Sequence, residues 1–257
     1  MNPVITPLWL AIQFLTRLPT PALEPRPEDL GRSVLTYPLV GLILGLIVVI
    51  VGIALSAIPG APALLVAALV LTFWVALTGA LHLDGLADTV DAWVGGQRHP
   101  ERARGIMKDP ACGPMAVAAL ILVLLLKGTA LVAVMETGAW MALLLAIVLG
   151  RMVPPVLFLT TPYVNPVGLG AEMAQHLPRR AAIGVVGATA LLSLILGMVS
   201  GLWGVIPALV AVGLLLWGAT HLLKGWLGGF TGDTVGATLE LVETSVLVIL
   251  VLTLGLH

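Results

Sequence analysis

Charge is what this chain has least of: only 10% of its 257 residues are Asp, Glu, Lys or Arg, and a single cysteine, Cys112, accompanies them. Each shortage excludes something. With 59% hydrophobic residues and a mean hydropathy of +1.11, the chain lies far outside the range of a domain that folds in water. A net charge of −1 provides no basic field, so no nucleic-acid partner is expected. Cys112 has no second cysteine for an internal disulfide or a structural zinc site, and is read as a small residue. A secretory leader is also missing. Met1 to Leu18 has no basic n-region, and its apolar stretch runs into Arg17 and a proline-rich arm, so the N-terminus is expected to be retained.

What is present is a series of apolar runs. A spanning helix needs about 20 mostly apolar residues, and backbone left unpaired in hydrocarbon restricts spans to helices or closed barrels. The runs predict spans at 34–56, 63–82, 114–135, 138–159, 181–200, 203–223 and 238–256. The stretch from Pro3 to Leu15 is too short to cross, and is read as an interfacial or re-entrant helix leading into the arm of Pro19, Pro21, Pro25 and Pro27. The expected fold class is therefore all-α: a polytopic membrane helix bundle of about seven transmembrane helices plus that N-terminal helix, forming a single domain over residues 1–257.

Basic residues beside short loops stay in the cytoplasm during insertion. Ten of the twelve here fall in alternate loops: Arg17, Arg26 and Arg32; Arg98, Arg102, Arg104 and Lys108; Arg179 and Arg180; and Lys224. The opposite loops, near Pro59, Glu136 and Gly201, contain none. This predicts a multi-pass protein of the cell inner membrane whose working face is cytoplasmic. The remaining two, Lys127 and Arg151, fall inside spans, where a charge costs at least about 2.5 to 3.5 kcal/mol and requires a polar partner.

The acids are as unevenly placed as the bases. Where the second span ends, Asp84, Asp88 and Asp91 follow i, i+4, i+7 spacing on one helical arc, beside an apolar face of Leu83, Leu86, Ala87, Val90, Trp93 and Val94. Like charges at i, i+4 destabilise a bare helix, so a hard divalent cation gripped between them gives the pattern a reason. Mg²⁺ suits carboxylates that share it with phosphates. A solvated helix face is the plain alternative. Asp109 follows within a basic loop that includes Arg102, Arg104 and Lys108, a mixture that suits phosphate handling, although retention on the cytoplasmic side also explains the bases. A third polar segment, Gly228 to Ala237, contains Gly229, Thr231 and Asp233, with Glu240 and Glu243 beyond. Its glycines permit close approach of backbone amides to an anion. Asp233-Thr234-Val235-Gly236-Ala237 echoes Asp88-Thr89-Val90-Asp91-Ala92 at four of five positions. Among the histidines only His82, next to Asp84 but one, invites a role, as an orienting neighbour.

These segments together resemble the cobalamin (5′-phosphate) synthase family, also called adenosylcobinamide-GDP ribazoletransferases. The carrying residues are Phe14 to Pro21; Gly31-Arg32-Ser33 with Tyr37 to Gly41; His82-Leu83-Asp84-Gly85-Leu86-Ala87-Asp88-Thr89-Val90-Asp91; Ile106 to Asp109 with Gly113; and Gly228 to Glu240. In one departure, Pro114, Met115 and Ala116 stand where the family tends to carry a second glycine. The resemblance implies a Mg²⁺-dependent transferase that joins α-ribazole, or its 5′-phosphate, to adenosylcobinamide-GDP and releases GMP. It also implies catalytic roles for Asp84, Asp88, Asp91, Asp109 and Asp233, the first three as metal ligands. Substrate contacts are expected from Arg17, Arg32, Arg102, Lys108, Lys127, Arg151, Gly229, Thr231 and Glu240, with internal pairing to acids an alternative for the two intramembrane bases. The expected partners are those two substrates and the lipid bilayer; a homo-oligomer is left open.

Two rivals stand beside this reading. A CDP-alcohol-type phosphotransferase also uses an Asp-Gly at a cytosolic helix end, but its pattern needs Ala-Arg where Ala87 is followed by Asp88. An ion-coupled transporter would place its acids near the bilayer midplane, whereas these cluster at one face.

Overall fold

The computed structural model describes residues 5–97 and 99–255; Met1, Pro3 and Arg98, named above, lie outside them. Helix α1 (Ile5–Leu15) leads through the proline arm to α2 (Pro27–Ser33), which passes through a 3-10 turn (Val34–Thr36) into α3 (Tyr37–Ser56). There follow α4 (Ala63–Thr78), α5 (Leu81–Gly96), α6 (Pro100–Ile106), α7 (Pro114–Thr137), α8 (Trp140–Arg151), α9 (Val153–Thr160), α10 (Leu169–Gln175), α11 (Arg179–Val199), α12 (Val205–Leu227) and α13 (Gly232–Leu252). Among the described residues, β pairing is limited to one isolated bridge between Tyr163 and Phe230. Among the described residues six helical runs are long and apolar enough to cross a membrane, and the number is seven if the bent pair α4–α5 is one broken span. The chain is thus an all-α, multi-pass membrane protein, and α1, too short to cross, packs Leu10, Ala11, Ile12 and Leu15 into the bundle.

The solvent of the outer surface is lipid. Leu64, Ile121, Leu122, Leu125, Leu214 and Trp217 point outward from α4, α7 and α12, as hydrocarbon permits and water would not. The centre is α8 with α13, and every side chain from Ala142 to Ile147 is buried. Helices in lipid gain little from excluding water and depend on close packing instead. Gly41, Gly45 and Gly52 supply it on α3, because a Cβ on any of them would meet Val148 and Arg151, Leu144, or Trp140 of α8 within about 2.5–3.2 Å.

The structure departs from the predicted spans in three places, each for a local reason. The span expected at 63–82 stops at Thr78, where Gly79 (φ 63°) and Ala80 (φ 58°) are both left-handed, and α5 leaves at 85° to α4. Ala80 carries a Cβ in that conformation at a cost of about 1–2 kcal/mol. Arg17 braces the turn: its amide donates to the Leu77 carbonyl at 2.8 Å, and its side chain fills the space over Gly79. The fourth span is interrupted at Met152, where Pro154 and Pro155 withdraw amide donors, and resumes as α9. The last starts at Gly232 rather than 238, because Thr231 and Thr234 cap each other reciprocally: the Thr231 amide donates to Thr234 Oγ1 (2.9 Å) and the Thr234 amide to Thr231 Oγ1 (3.3 Å).

Candidate active site

The bend determines where the acids go. Turned aside from α4, α5 packs against the first turns of α13, a contact close enough that a Cβ on Gly85 would sit 2.7 Å from the Asp233 carbonyl oxygen and one on Gly236 3.2 Å from His82. The Asp233-Thr234-Val235-Gly236 segment therefore meets α5 at His82 and Gly85, across a helix crossing made by glycines. Leu83, Leu86 and Ala87 are buried there as expected, whereas Trp93 and Val94 are exposed; Trp93 meets the ring of Trp226 edge-on at 4.9 Å.

Two cavities open at this end of the bundle, and Asp84 lies on the wall of both. The first, of about 300 Å³, is bounded by Phe14, Tyr37, Phe158, Tyr163, Phe230 and His82, with Asp233 beside Asp84. The second, of about 600 Å³, is bounded by Asp88, Lys108, Asp109 and the apolar side chains of Leu83, Ala87, Leu120 and Leu124. Partial burial, reinforced by Asp84, Asp233 and Asp91, pushes the Asp88 carboxyl up to about 6. Carboxylates that repel one another in this way are a ready seat for a cation.

Asp91 does not share the open space with the other two. Its oxygens accept the amides of Gly113 (2.5 Å) and Ala116 (3.1 Å), which makes it the cap of α7. Asp91 touches Gly113 so closely that a Cβ there would lie 2.7 Å from its oxygen, and Pro114 takes the N1 position where a missing amide costs nothing. The departure at Pro114 thus fits a helix start. Among the described residues no three acidic, histidine or cysteine side chains converge tightly enough to hold a metal by themselves. Mg²⁺ asks for less: one or two carboxylates, with water and substrate phosphates completing its octahedron. Asp84 and Asp88, one turn apart and facing the cavity that holds Lys108, fit that demand.

The two intramembrane bases have found internal partners. Lys127 Nζ donates to Glu240 and Glu243, each at 2.6 Å, and lies 4.3 Å from the Trp74 ring centre, while Arg151 pairs with Glu243. All four charged side chains are buried and none lines either cavity, so internal pairing, rather than substrate contact, describes Lys127, Arg151 and Glu240. Of the other expected contacts, only Lys108 lines a cavity. Arg17 sits on the bend, Arg32 and Arg102 are exposed on α2 and α6, and Gly229 packs against the Pro162 carbonyl. Thr231 is the cap of α13, its hydroxyl 3.5 Å from Asp233 and 3.8 Å from Met107 Sδ. Phe14, Tyr37 and Phe230 lie in segments that carry the family resemblance, but no spacing links them to one another or to Phe158 and Tyr163 as one aromatic lining.

Fold and site together define a membrane-embedded helical protein with paired, acid-walled cavities at one end of its bundle. The profile described as cobalamin-5-phosphate synthase matches residues 7–251, and the chain belongs to that family. It is similar to proteins named adenosylcobinamide-GDP ribazoletransferase from Pseudomonas fluorescens (54% identity, covering 94% of this chain and 97% of the relative), Pseudomonas putida (52%; 93% and 96%) and Pseudomonas aeruginosa (50%; 98% and 100%). No solved structure matches the chain.

Proposed function

We propose that this protein is a Mg²⁺-dependent adenosylcobinamide-GDP ribazoletransferase of the cell inner membrane, with its site open to the cytoplasm. The position of Asp84 carries the reading: one carboxylate borders both a small aromatic cavity and a wider one containing Asp88, Lys108 and Asp109, as a site that joins two substrates requires. Family membership supplies the reaction class. The basic loops predicted to be cytoplasmic flank the same end of the bundle.

In this reading a ribose hydroxyl of α-ribazole, or of its 5′-phosphate, attacks the phosphorus attached to cobinamide. A new P–O bond forms, the bond to the GMP oxygen breaks, and GMP departs with the electron pair. Asp233, which faces the aromatic cavity beside Asp84, accepts the hydroxyl proton. Lys108 neutralises charge on the diphosphate from the second cavity, and Asp109 fixes the loop by accepting the Ala111 amide at 3.0 Å. Asp84 and Asp88 would hold Mg²⁺, which when bound supplies positive charge to the phosphoryl oxygens.

The test is an assay of purified, detergent-solubilised protein with adenosylcobinamide-GDP and α-ribazole phosphate, following GMP. Release that requires both substrates and stops on chelation supports the reading. Absence of GMP from well-folded protein supplied with Mg²⁺ overturns it.

A further inference from the structure

The family assignment names two substrates without saying which cavity each enters, and the two cavities differ in kind. The smaller one is walled by two aromatic groups. Phe14 and Tyr37 stack with centroids 6.3 Å apart, and Phe158, Tyr163 and Phe230 form a trio at 5.0–6.2 Å. Helix α10 closes over it so tightly that a Cβ on Gly170 would lie 2.3 Å from the Tyr163 ring. Its polar side-chain groups are few: Asp84, Asp233, His82 and the Tyr163 hydroxyl, with the Tyr37 hydroxyl turned to Met173 Sδ at 3.6 Å.

We infer that this aromatic cavity, rather than the wider one, is the subsite for the heteroaromatic base of the ribazole substrate. The inference rests on the ribazoletransferase reading. At about 300 Å³ the space lies at the bottom of the range for small-ligand sites, enough for a nucleoside and too small for a corrin macrocycle. Phenylalanine rings stack on a base without reading hydrogen bonds at its edge, and a base with a single ring-nitrogen acceptor there is desolvated at little cost. A base held among the rings directs its ribose toward Asp233 and Asp84, the second of which borders the wider cavity as well. That leaves the wider cavity, which contains the cation Lys108, for the diphosphate. The competing occupant is guanine, whose ring N–H groups would donate to Asp233.

Phe14 and Val235 allow a test that spares the fold, because Phe14 is 43% exposed and Val235 is half-buried at the cavity edge. Phe14→Ala is expected to raise the KM for α-ribazole about tenfold, the effect of losing one stacking partner. The KM for adenosylcobinamide-GDP should stay within about twofold. Val235→Phe, which fills the space, should abolish calorimetrically detected binding of α-ribazole alone, while circular dichroism and detergent-phase elution stay unchanged. A rise confined to the GDP substrate assigns the cavity to guanine and overturns the inference; unchanged constants for both substrates, or unchanged ribazole binding in Val235→Phe, overturn it also. The calorimetric arm needs no turnover. Wild-type protein that binds α-ribazole through these residues yet releases no GMP keeps the subsite and removes the reaction.

Discussion

Asp91 is bound to Gly113: its carboxylate accepts the Gly113 amide at 2.5 Å and the Ala116 amide at 3.1 Å, tying α5 to the start of α7 across 22 residues of sequence. The acid that looked from spacing like the third member of a metal cradle is a helix cap, and the loop it anchors carries Lys108 and Asp109.

Asn keeps an acceptor for one of these amides and Ala for neither. Asp91→Asn should therefore retain most activity and its Mg²⁺ titration midpoint, whereas Asp91→Ala should lose about 0.5–2 kcal/mol of stability, the worth of a cap. Thermal melts beside Mg²⁺ titrations check this. Equal loss of metal affinity in both variants would return Asp91 to the ligand set.

Asp84→Asn and Asp88→Asn remove charge where the cation and phosphates are proposed to sit. Each should lower GMP release by about a hundredfold or more with expression intact, comparable to deleting a preorganised electrostatic group. Near-normal turnover in either variant would take that residue out of the site.

The carboxyl of Asp88 titrates near 6, above its ordinary value of 3.8. The sign follows from which form binds the cation. Below about pH 6 the proton occupies the site, so apparent Mg²⁺ affinity should rise with pH through 6 and level off above it. In metal-free protein the same shift means that the folded state binds the extra proton between about 4 and 6. Asp88 thus disfavours folding above that window, and added Mg²⁺ should relieve the penalty. A pH-independent Mg²⁺ midpoint between 5 and 7.5 would contradict this.

Lys127 neutralises two buried carboxylates, Glu240 and Glu243, while Arg151 serves Glu243 from the other side. Lys127→Met strands Glu240 in the bundle and should cost about 3–5 kcal/mol, read as aggregation or a lower melting temperature in detergent. Glu240→Gln, which leaves Lys127 paired with Glu243, should cost less. If Lys127→Met melts like wild type but fails only in substrate binding, the cluster has a role beyond holding α7, α8 and α13 together.

Glu136 ends α7 at the face without basic loops, and Gly170 lies on α10 beside the aromatic cavity. A reporter fused at Glu136 should read as periplasmic and one at Gly170 as cytoplasmic. The reverse would put the site on the wrong side for a nucleotide substrate.

Properties that depend on neighbours along the chain were legible without coordinates. Apolar runs of spanning length announced an all-α bundle of about seven crossings, and six to seven helical runs among the described residues suit them, because hydrocarbon tolerates only self-satisfied backbone. The one-sided distribution of Arg and Lys predicts an orientation, which the reporter fusions test. Residues Asp84 and Asp88, one helical turn apart, announced a shared face, and the polar demand of Lys127 and Arg151 inside spans announced partners. What the tertiary structure decided was every relationship between distant segments. Two left-handed residues at Gly79 and Ala80 turned α5 aside, and that turn brought Asp233 to Asp84 from 149 residues away and gave Asp91 to the amides of α7. Five segments closed an aromatic cavity around those acids. Spacing reports which side chains share a helix face; which face meets which is settled by packing, through close approaches such as Gly85 on Asp233 that have no signature in a single chain.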